Sequence, residues 1–113
     1  MSSANPPSAG AVQAQPLIYE ATFGGQGAVV KGNQISQAQA ENFRKQGKDV
    51  VVCGPDHKAN LTLAKQIERN ANGSDKLCGP HKNAGPHALP HCHPIGRHPV
   101  GHTFYETDKR KAV

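Results

Sequence analysis

The sequence lacks several features that would place it in a common class of protein. It has no tryptophan and only 4% aromatic residues, so a chain of 113 residues can build only a modest hydrophobic core. No apolar run approaches the roughly 20 residues that span a bilayer, and we therefore expect no membrane partner. The first sixteen residues, MSSANPPSAGAVQAQP, have neither the charged nor the apolar region of a signal peptide.

Short motifs that identify enzymes or metal sites are also missing. Cys53, Cys78 and Cys92 are an odd number of cysteines and form no CxxC pair, which argues against a disulfide framework. The chain has no HExxH zinc motif, no GxxxxGK phosphate loop and no dinucleotide-binding fingerprint. It also lacks the H-x-E and PCxxC elements of a zinc deaminase.

What the sequence does have is positive charge. Lysine and arginine number 13 against 8 acidic residues, which gives a formal charge of +5 and a pI near 9.3. A basic surface on a small domain favours anionic partners, with nucleic acid first and acidic proteins second.

The composition and periodicity of the chain predict a flexible leader followed by one domain. Residues 1–16 are Ser, Ala, Pro, Gly and Gln with no charge, a composition typical of a flexible linker cut from a larger polypeptide. Residues 17–113 carry the periodic segments. We predict strands at 17–23, 27–32, 50–53 and 100–106, helices at 37 to about 46 and about 59 to 71, and a long loop at 74–99.

The ends of the first helix have clear local signals. Ser36 and Gln39 fit a capping box, Ile35 can act as its hydrophobic staple, and Gly47 stands where a C′ glycine belongs. The sum is an α+β domain: a small antiparallel sheet, two helices, and a long loop rich in His, Pro and Gly before the last strand.

Histidine is concentrated in that loop. Six of the seven histidines lie between His81 and His102, and five fall within HALPHCHPIGRHPVGH. A structureless stretch of this length inside a small domain is normally either functional or disordered. We interpret it as functional, because prolines restrict its backbone while imidazoles and an arginine supply chemistry.

The first interpretation is acid–base catalysis on a phosphodiester, which needs no cofactor. Cleaving RNA requires a base for the 2′-OH proton, an acid for the leaving 5′-oxygen and a cation for the phosphorane. Imidazole titrates near neutral pH, and a guanidinium offers a fixed fork of donors to phosphate. We predict His91 or His93 as general base, His102 as general acid, Arg97 as phosphate clamp, and Thr103 or Tyr105 as a positioning hydroxyl. On an alternating strand Thr103 and Tyr105 share the face that His102 and Phe104 do not, so these four residues cannot all line one site.

Two other interpretations stay open. Alternation puts His91 and His93 on one side of an extended segment, and three such ligands plus water describe catalytic zinc. A divalent-metal nuclease acting on DNA would use His91, His93, and His98 or His102. The histidines could instead belong to a non-catalytic module that binds zinc or nucleic acid.

Two segments resemble the C-terminal toxin domains of bacterial polymorphic toxins, the type carried by Rhs-repeat, PAAR-linked or contact-dependent delivery proteins. GKDVVVCGPDHKANLTLAKQIE is similar to their strand–turn–helix segment, and AGPHALPHCHPIGRHPVGHTFYE to their His-rich terminal block. The leader resembles the junction between a toxin tip and its carrier. The resemblance covers roughly residues 30 to 106.

This resemblance implies a secreted or delivered antibacterial effector, usually a nuclease, that acts in the cytoplasm of a target cell. It implies a larger carrier polypeptide N-terminal to the domain and a cognate immunity protein, which we expect to be acidic because it must cover a basic cleft. Many such RNases share a barnase–EndoU–RelE-like fold, with helices packed on a small antiparallel sheet, and RNA is the favoured substrate.

Overall fold

The part of the domain that the structure describes consists of one six-stranded sheet and two α-helices. A computed structural model describes residues 15–74, 76–78, 88–94 and 100–113. Within these ranges the strands are β1 (Leu17–Phe23), β2 (Val29–Ile35), β3 (Val50–Cys53), β4 (Lys76–Cys78), β5 (His91–His93) and β6 (Thr103–Tyr105), and the helices are α1 (Gln37–Lys45) and α2 (His57–Asn72). The predicted α+β class with two helices is confirmed.

The sheet is mixed rather than purely antiparallel. Its strand order is β2-β1-β3-β6-β5-β4. Four neighbouring pairs are antiparallel as expected, whereas β3 and β6 run parallel. The reason is the crossover through α2: a helix returns the chain to the end of the sheet where it started, so β4 runs in the direction of β3. Strand β5 is antiparallel to β4, and β6 is antiparallel to β5, so β6 also runs in the direction of β3.

The predicted loop at 74–99 contains two short strands, β4 and β5. Each has three residues, and the register pairs Lys76 with His93 and Cys78 with His91. The tripeptide His-Cys-His has no β-branched residue, so its own propensity gives no strand signal. Pairing with neighbouring strands creates β5, and the sequence periodicity could not reveal it.

Helix α1 follows its sequence signals closely. The Ser36 side chain accepts from the backbone N–H of Gln39 at 3.2 Å, and the Gln39 side chain accepts from the Ser36 N–H at 2.8 Å. The capping box is therefore confirmed. Gly47 has φ of 80°, the left-handed conformation that ends a helix at little steric cost for glycine. Ala40 is fully buried and Phe43 packs against the core.

Helix α2 begins two residues before the predicted start. Asp56 caps it, accepting from the backbone N–H groups of Lys58 at 3.0 Å and Ala59 at 3.4 Å. His57, which precedes the predicted helix, is consequently the first helical residue. Apolar spacing alone misses His57 and Lys58 because neither residue is apolar.

Two apolar clusters lie on the two sides of the sheet. The helix-side core contains Ile18, Ala40, Val50, Val52, Ala64, Ile67, Cys92 and Tyr105. The opposite-face core contains Val29, Val51, Cys53, Leu89 and Phe104. Both helices contribute residues to the first cluster and none to the described members of the second. Because side chains alternate along each strand, the sheet has one face covered by the helices and an opposite face that neither helix covers.

The C-terminal segment covers part of the opposite face. Ala112 packs against the opposite-face core, and its backbone N–H donates to Glu106 Oε2 at 2.8 Å. Val113 exchanges backbone hydrogen bonds with Val29 and Lys31 at 2.8 and 3.0 Å. The charged composition of the last residues, DKRKAV, does not reveal this contact, because the segment is anchored by backbone pairing with β2.

Candidate functional site

The site begins with strand β5, which carries two imidazoles on one face. The register pairs His91 with Phe104 and Cys92 with Thr103, so His91 lies on the opposite face and Cys92 in the helix-side core. The rings of His91 and His93 lie 6.0 Å apart between centroids. The prediction that alternation brings these two imidazoles to one side of the chain is confirmed.

His102 joins them from the residue before β6. Its ring centroid lies 4.4 Å from that of His91 and 6.2 Å from that of His93. The Phe104 ring packs beside them, with its centroid 5.5 Å from that of His91 and 5.3 Å from that of His102. We call His91, His93 and His102 the imidazole cluster. The sheet therefore brings together three predicted site residues that are up to eleven positions apart in the sequence.

Solvent exposure divides the imidazole cluster. His91 is fully buried and His93 is 2% exposed, whereas the His102 side chain is 21% exposed. His93 Nδ1 lies 2.9 Å from the carbonyl oxygen of Pro94, and since a carbonyl only accepts, the neutral ring carries its proton on Nδ1. His102 is consequently the member that a dissolved substrate can reach in this conformation.

Asp49 is a member of the site that the sequence analysis missed. Its Oδ1 accepts from the backbone N–H of His102 at 2.8 Å and lies 3.7 Å from His102 Nδ1. A carboxylate beside an imidazole fixes the orientation of the ring. The only sequence signal was an acidic residue directly before the buried strand Val50–Cys53, which a Gly-Lys-Asp turn explains equally well.

Thr103 and Tyr105 lie on the other side of the sheet. Thr103 is fully buried and its hydroxyl donates to Glu68 Oε1 at 3.1 Å. Tyr105 is 4% exposed, belongs to the helix-side core and stacks on the His57 ring at 6.0 Å. Burial raises the pKa of Tyr105 to about 12. The structure thus does not bring either hydroxyl to the imidazole cluster, because strand alternation directs them towards the helices.

Two predicted site residues cannot be placed. Arg97, the expected phosphate clamp, and His98, an alternative metal ligand, lie outside the described residues, as does most of the predicted leader. Among the residues that the structure describes, no group of three or more His, Cys, Asp or Glu side chains is arranged to hold a metal ion.

Cysteine offers no nucleophile on the described face. Burial, reinforced by the nearby Glu106 carboxylate, raises the pKa of the Cys53 thiol to about 12, so the reactive thiolate is scarce near neutral pH. Cys92 points away from its two histidine neighbours into the helix-side core. Both cysteines therefore contribute packing.

A buried ion pair lies under the turn that carries His102. Arg44 and Glu68 are both fully buried and joined through Arg44 Nε and Glu68 Oε1. Arg44 Nη1 donates to the carbonyls of Lys48 and Val100, each at 3.0 Å, and Nη2 donates to that of Gly101 at 3.1 Å. We call this set the Arg44 network. Sequence reasoning missed it, although Arg44 lies four residues after the inward-facing Ala40 and thus on the same helical face.

Gly101 should tolerate no side chain. Its φ is 96°, and a Cβ there would lie 2.6 Å from Arg44 Nη1 and 2.8 Å from the Gly47 carbonyl oxygen. We expect Gly101→Ala to lower the free energy of unfolding by about 1–3 kcal/mol, since it adds backbone strain and a clash with a backbone atom. Urea unfolding measures the change. Gly25→Ala is the matched control, because a Cβ at Gly25 meets nothing within 4 Å, and an equal loss in both variants would contradict the prediction.

No protein-family model matches the chain, and no curated protein or solved structure has significant similarity to it. Within the described part of the chain, neither helix is long and apolar enough to cross a membrane. The function of the site is therefore inferred from its own geometry and charge.

Proposed function

We propose that the protein is a ribonuclease whose acid–base chemistry centres on His102. The observation that carries this proposal is the position of His102: its imidazole is partly exposed, rests against the buried His91 ring and lies beside the Asp49 carboxylate. A solvent-accessible imidazole supported by a carboxylate is a common arrangement for proton transfer at neutral pH.

His102 acts as the general acid in this proposal. The 2′-oxygen of the substrate loses its proton to a base and attacks the adjacent phosphorus. The bond from phosphorus to the 5′-oxygen then breaks, and the 5′-oxygen takes the proton of the His102 imidazolium. Asp49 lies 3.7 Å from His102 Nδ1 and accepts a hydrogen bond from the His102 backbone N–H, so this carboxylate holds the imidazole in place for the transfer.

The general base is assigned to His91 or His93, the two imidazoles nearest to His102. Both are at least nine-tenths buried, so neither reaches a substrate in the conformation described. The assignment therefore requires local opening when substrate binds, a step by which many active sites complete their catalytic groups. Arg97 keeps its proposed role as phosphate clamp, and the hydroxyls of Thr103 and Tyr105 have no direct role.

Charge and resemblance support RNA as the substrate and a toxin as the biological setting. The formal charge of +5 favours a polyanion. The resemblance to polymorphic toxin domains implies that the protein is delivered on a larger carrier and acts in the cytoplasm of a target cell. It also implies that an acidic immunity protein neutralises it. Such a partner would associate with the positively charged domain, because charge complementarity speeds association.

Incubation with total RNA and with plasmid DNA, each with and without EDTA, tests the proposed function. We expect RNA to be cleaved equally in both conditions and the DNA to remain intact, because the proposed chemistry needs a 2′-hydroxyl and no metal. Gel electrophoresis measures the products. Loss of DNA that EDTA prevents would support a metal-dependent nuclease instead, and inert protein with bound zinc would support a binding module.

A further inference from the structure

We infer that Arg44 is a positioning residue that sets the orientation of His102 through the buried Arg44 network. The inference rests on the proposed function for its catalytic consequence, but its structural part stands without it. Arg44 is on α1, Glu68 is on α2 and His102 precedes β6, so the network joins both helices to the turn that carries the exposed imidazole.

Three consecutive residues of the turn are each held by a buried or half-buried polar group. The Gly101 carbonyl accepts from Arg44 Nη2 at 3.1 Å. The His102 backbone N–H donates to Asp49 at 2.8 Å, and the Thr103 hydroxyl donates to Glu68 at 3.1 Å. Because the same Glu68 oxygen also receives Arg44 Nε, two of these three contacts depend on one ion pair. His102 lies at the centre of the held segment.

Hydrogen bonds rather than side-chain packing hold the two residues before His102. The Val100 side chain is 65% exposed, and Gly101 has no side chain. The backbone carbonyls of both residues are instead bound by the Arg44 guanidinium. The Arg44 guanidinium therefore sets the backbone path that leads into His102, while Asp49 and the His91 ring contact His102 itself.

The shape of the arginine side chain is essential to this arrangement. Four of its five N–H donors are used, and they reach Glu68 on one side and the turn carbonyls on the other. Lysine keeps the positive charge but concentrates its donors on a single nitrogen, so it cannot span the carboxylate and both carbonyls. The Arg44→Lys substitution therefore keeps the positive charge but removes the arrangement of donors that binds the turn.

The test compares Arg44→Lys with Lys45→Arg, its exposed neighbour on α1. We expect Arg44→Lys to lower kcat for RNA by about 10²-fold while KM stays close to wild type, because a small misplacement of a catalytic group slows chemistry more than binding. In NMR spectra the backbone amide and ring signals of His102 should shift in Arg44→Lys and stay in place in Lys45→Arg. Unchanged kcat and unchanged His102 signals in folded Arg44→Lys would overturn the inference.

Thr103→Val covers the case in which Arg44→Lys does not fold. It removes one hydroxyl contact to Glu68 and leaves the Arg44–Glu68 ion pair intact. We expect a smaller loss of kcat and a shift of the same His102 signals, whereas identical signals in Thr103→Val would count against the network. If the wild-type protein cleaves no RNA, the proposed function fails, and the NMR comparison still decides whether the network orients His102.

Discussion

Replacing His102 by Ala is expected to lower kcat/KM for RNA by about 10²–10⁴-fold, the usual contribution of a positioned general acid or base. His102 is partly exposed and lies beside Asp49, whereas His91 and His93 are buried, so no other described imidazole can take over its contact with the substrate. Initial rates on a fluorescent oligoribonucleotide measure the loss.

The fold should survive this substitution. The contact from residue 102 to Asp49 uses the backbone N–H, which alanine keeps. His57→Gln is the matched control, because His57 lies on the other side of the sheet against Tyr105, and we expect its activity to stay close to wild type. If His91→Ala and His102→Ala both keep full activity, the imidazole cluster is not the catalytic site.

Replacing Arg44 by Met is expected to lower the free energy of unfolding by about 3–5 kcal/mol, the usual cost of leaving one partner of a buried ion pair without the other. Glu68 is fully buried, and the Met side chain offers it no donor. The carbonyls of Val100 and Gly101 lose their guanidinium donors as well. For a small domain, a loss of this size is a large part of the total stability.

Urea unfolding of Arg44→Met, compared with Lys45→Met at the neighbouring exposed position, measures this loss. The double variant Arg44→Met with Glu68→Leu should recover part of it, since replacing both charges removes the uncompensated carboxylate. Recovery should be incomplete because Thr103 and Asn72 also donate to Glu68. A loss below about 1 kcal/mol in Arg44→Met would mean that the pair is not an important source of stability.

The feature of the candidate site that the sequence predicted depends on the alternation of side chains along an extended segment. His91 and His93 flank one residue on an extended segment, and that spacing alone places both rings on one face. The same rule, applied to residues 102–105, separated His102 and Phe104 from Thr103 and Tyr105 in advance. The sequence could not decide which of the two faces is covered by helices, and therefore could not remove the two hydroxyls from the site.

The site residues that the sequence analysis missed all make contacts with residues far away in the chain. Asp49 contacts a residue 53 positions away, Arg44 contacts Glu68 at a separation of 24, and Arg44 contacts Gly101 at a separation of 57. None belongs to a motif with fixed spacing. A charged residue on a predicted helix is more often exposed than buried, so the burial of Arg44 and Glu68 followed only from the packing of α1 on α2.

The sequence by itself determined the local structure of this protein: the capped helix α1, the buried strand β3, the helix α2, the α+β class and the proximity of His91 to His93. These features depend on hydrogen bonds and side-chain alternation between residues close in the chain. Only the tertiary structure decided that β3 and β6 pair in parallel, that Tyr105 packs under the helices, and that Asp49 and the Arg44 network meet at His102. The physical reason is that each of these contacts joins distant residues and forms only when the whole sheet and both helices are assembled.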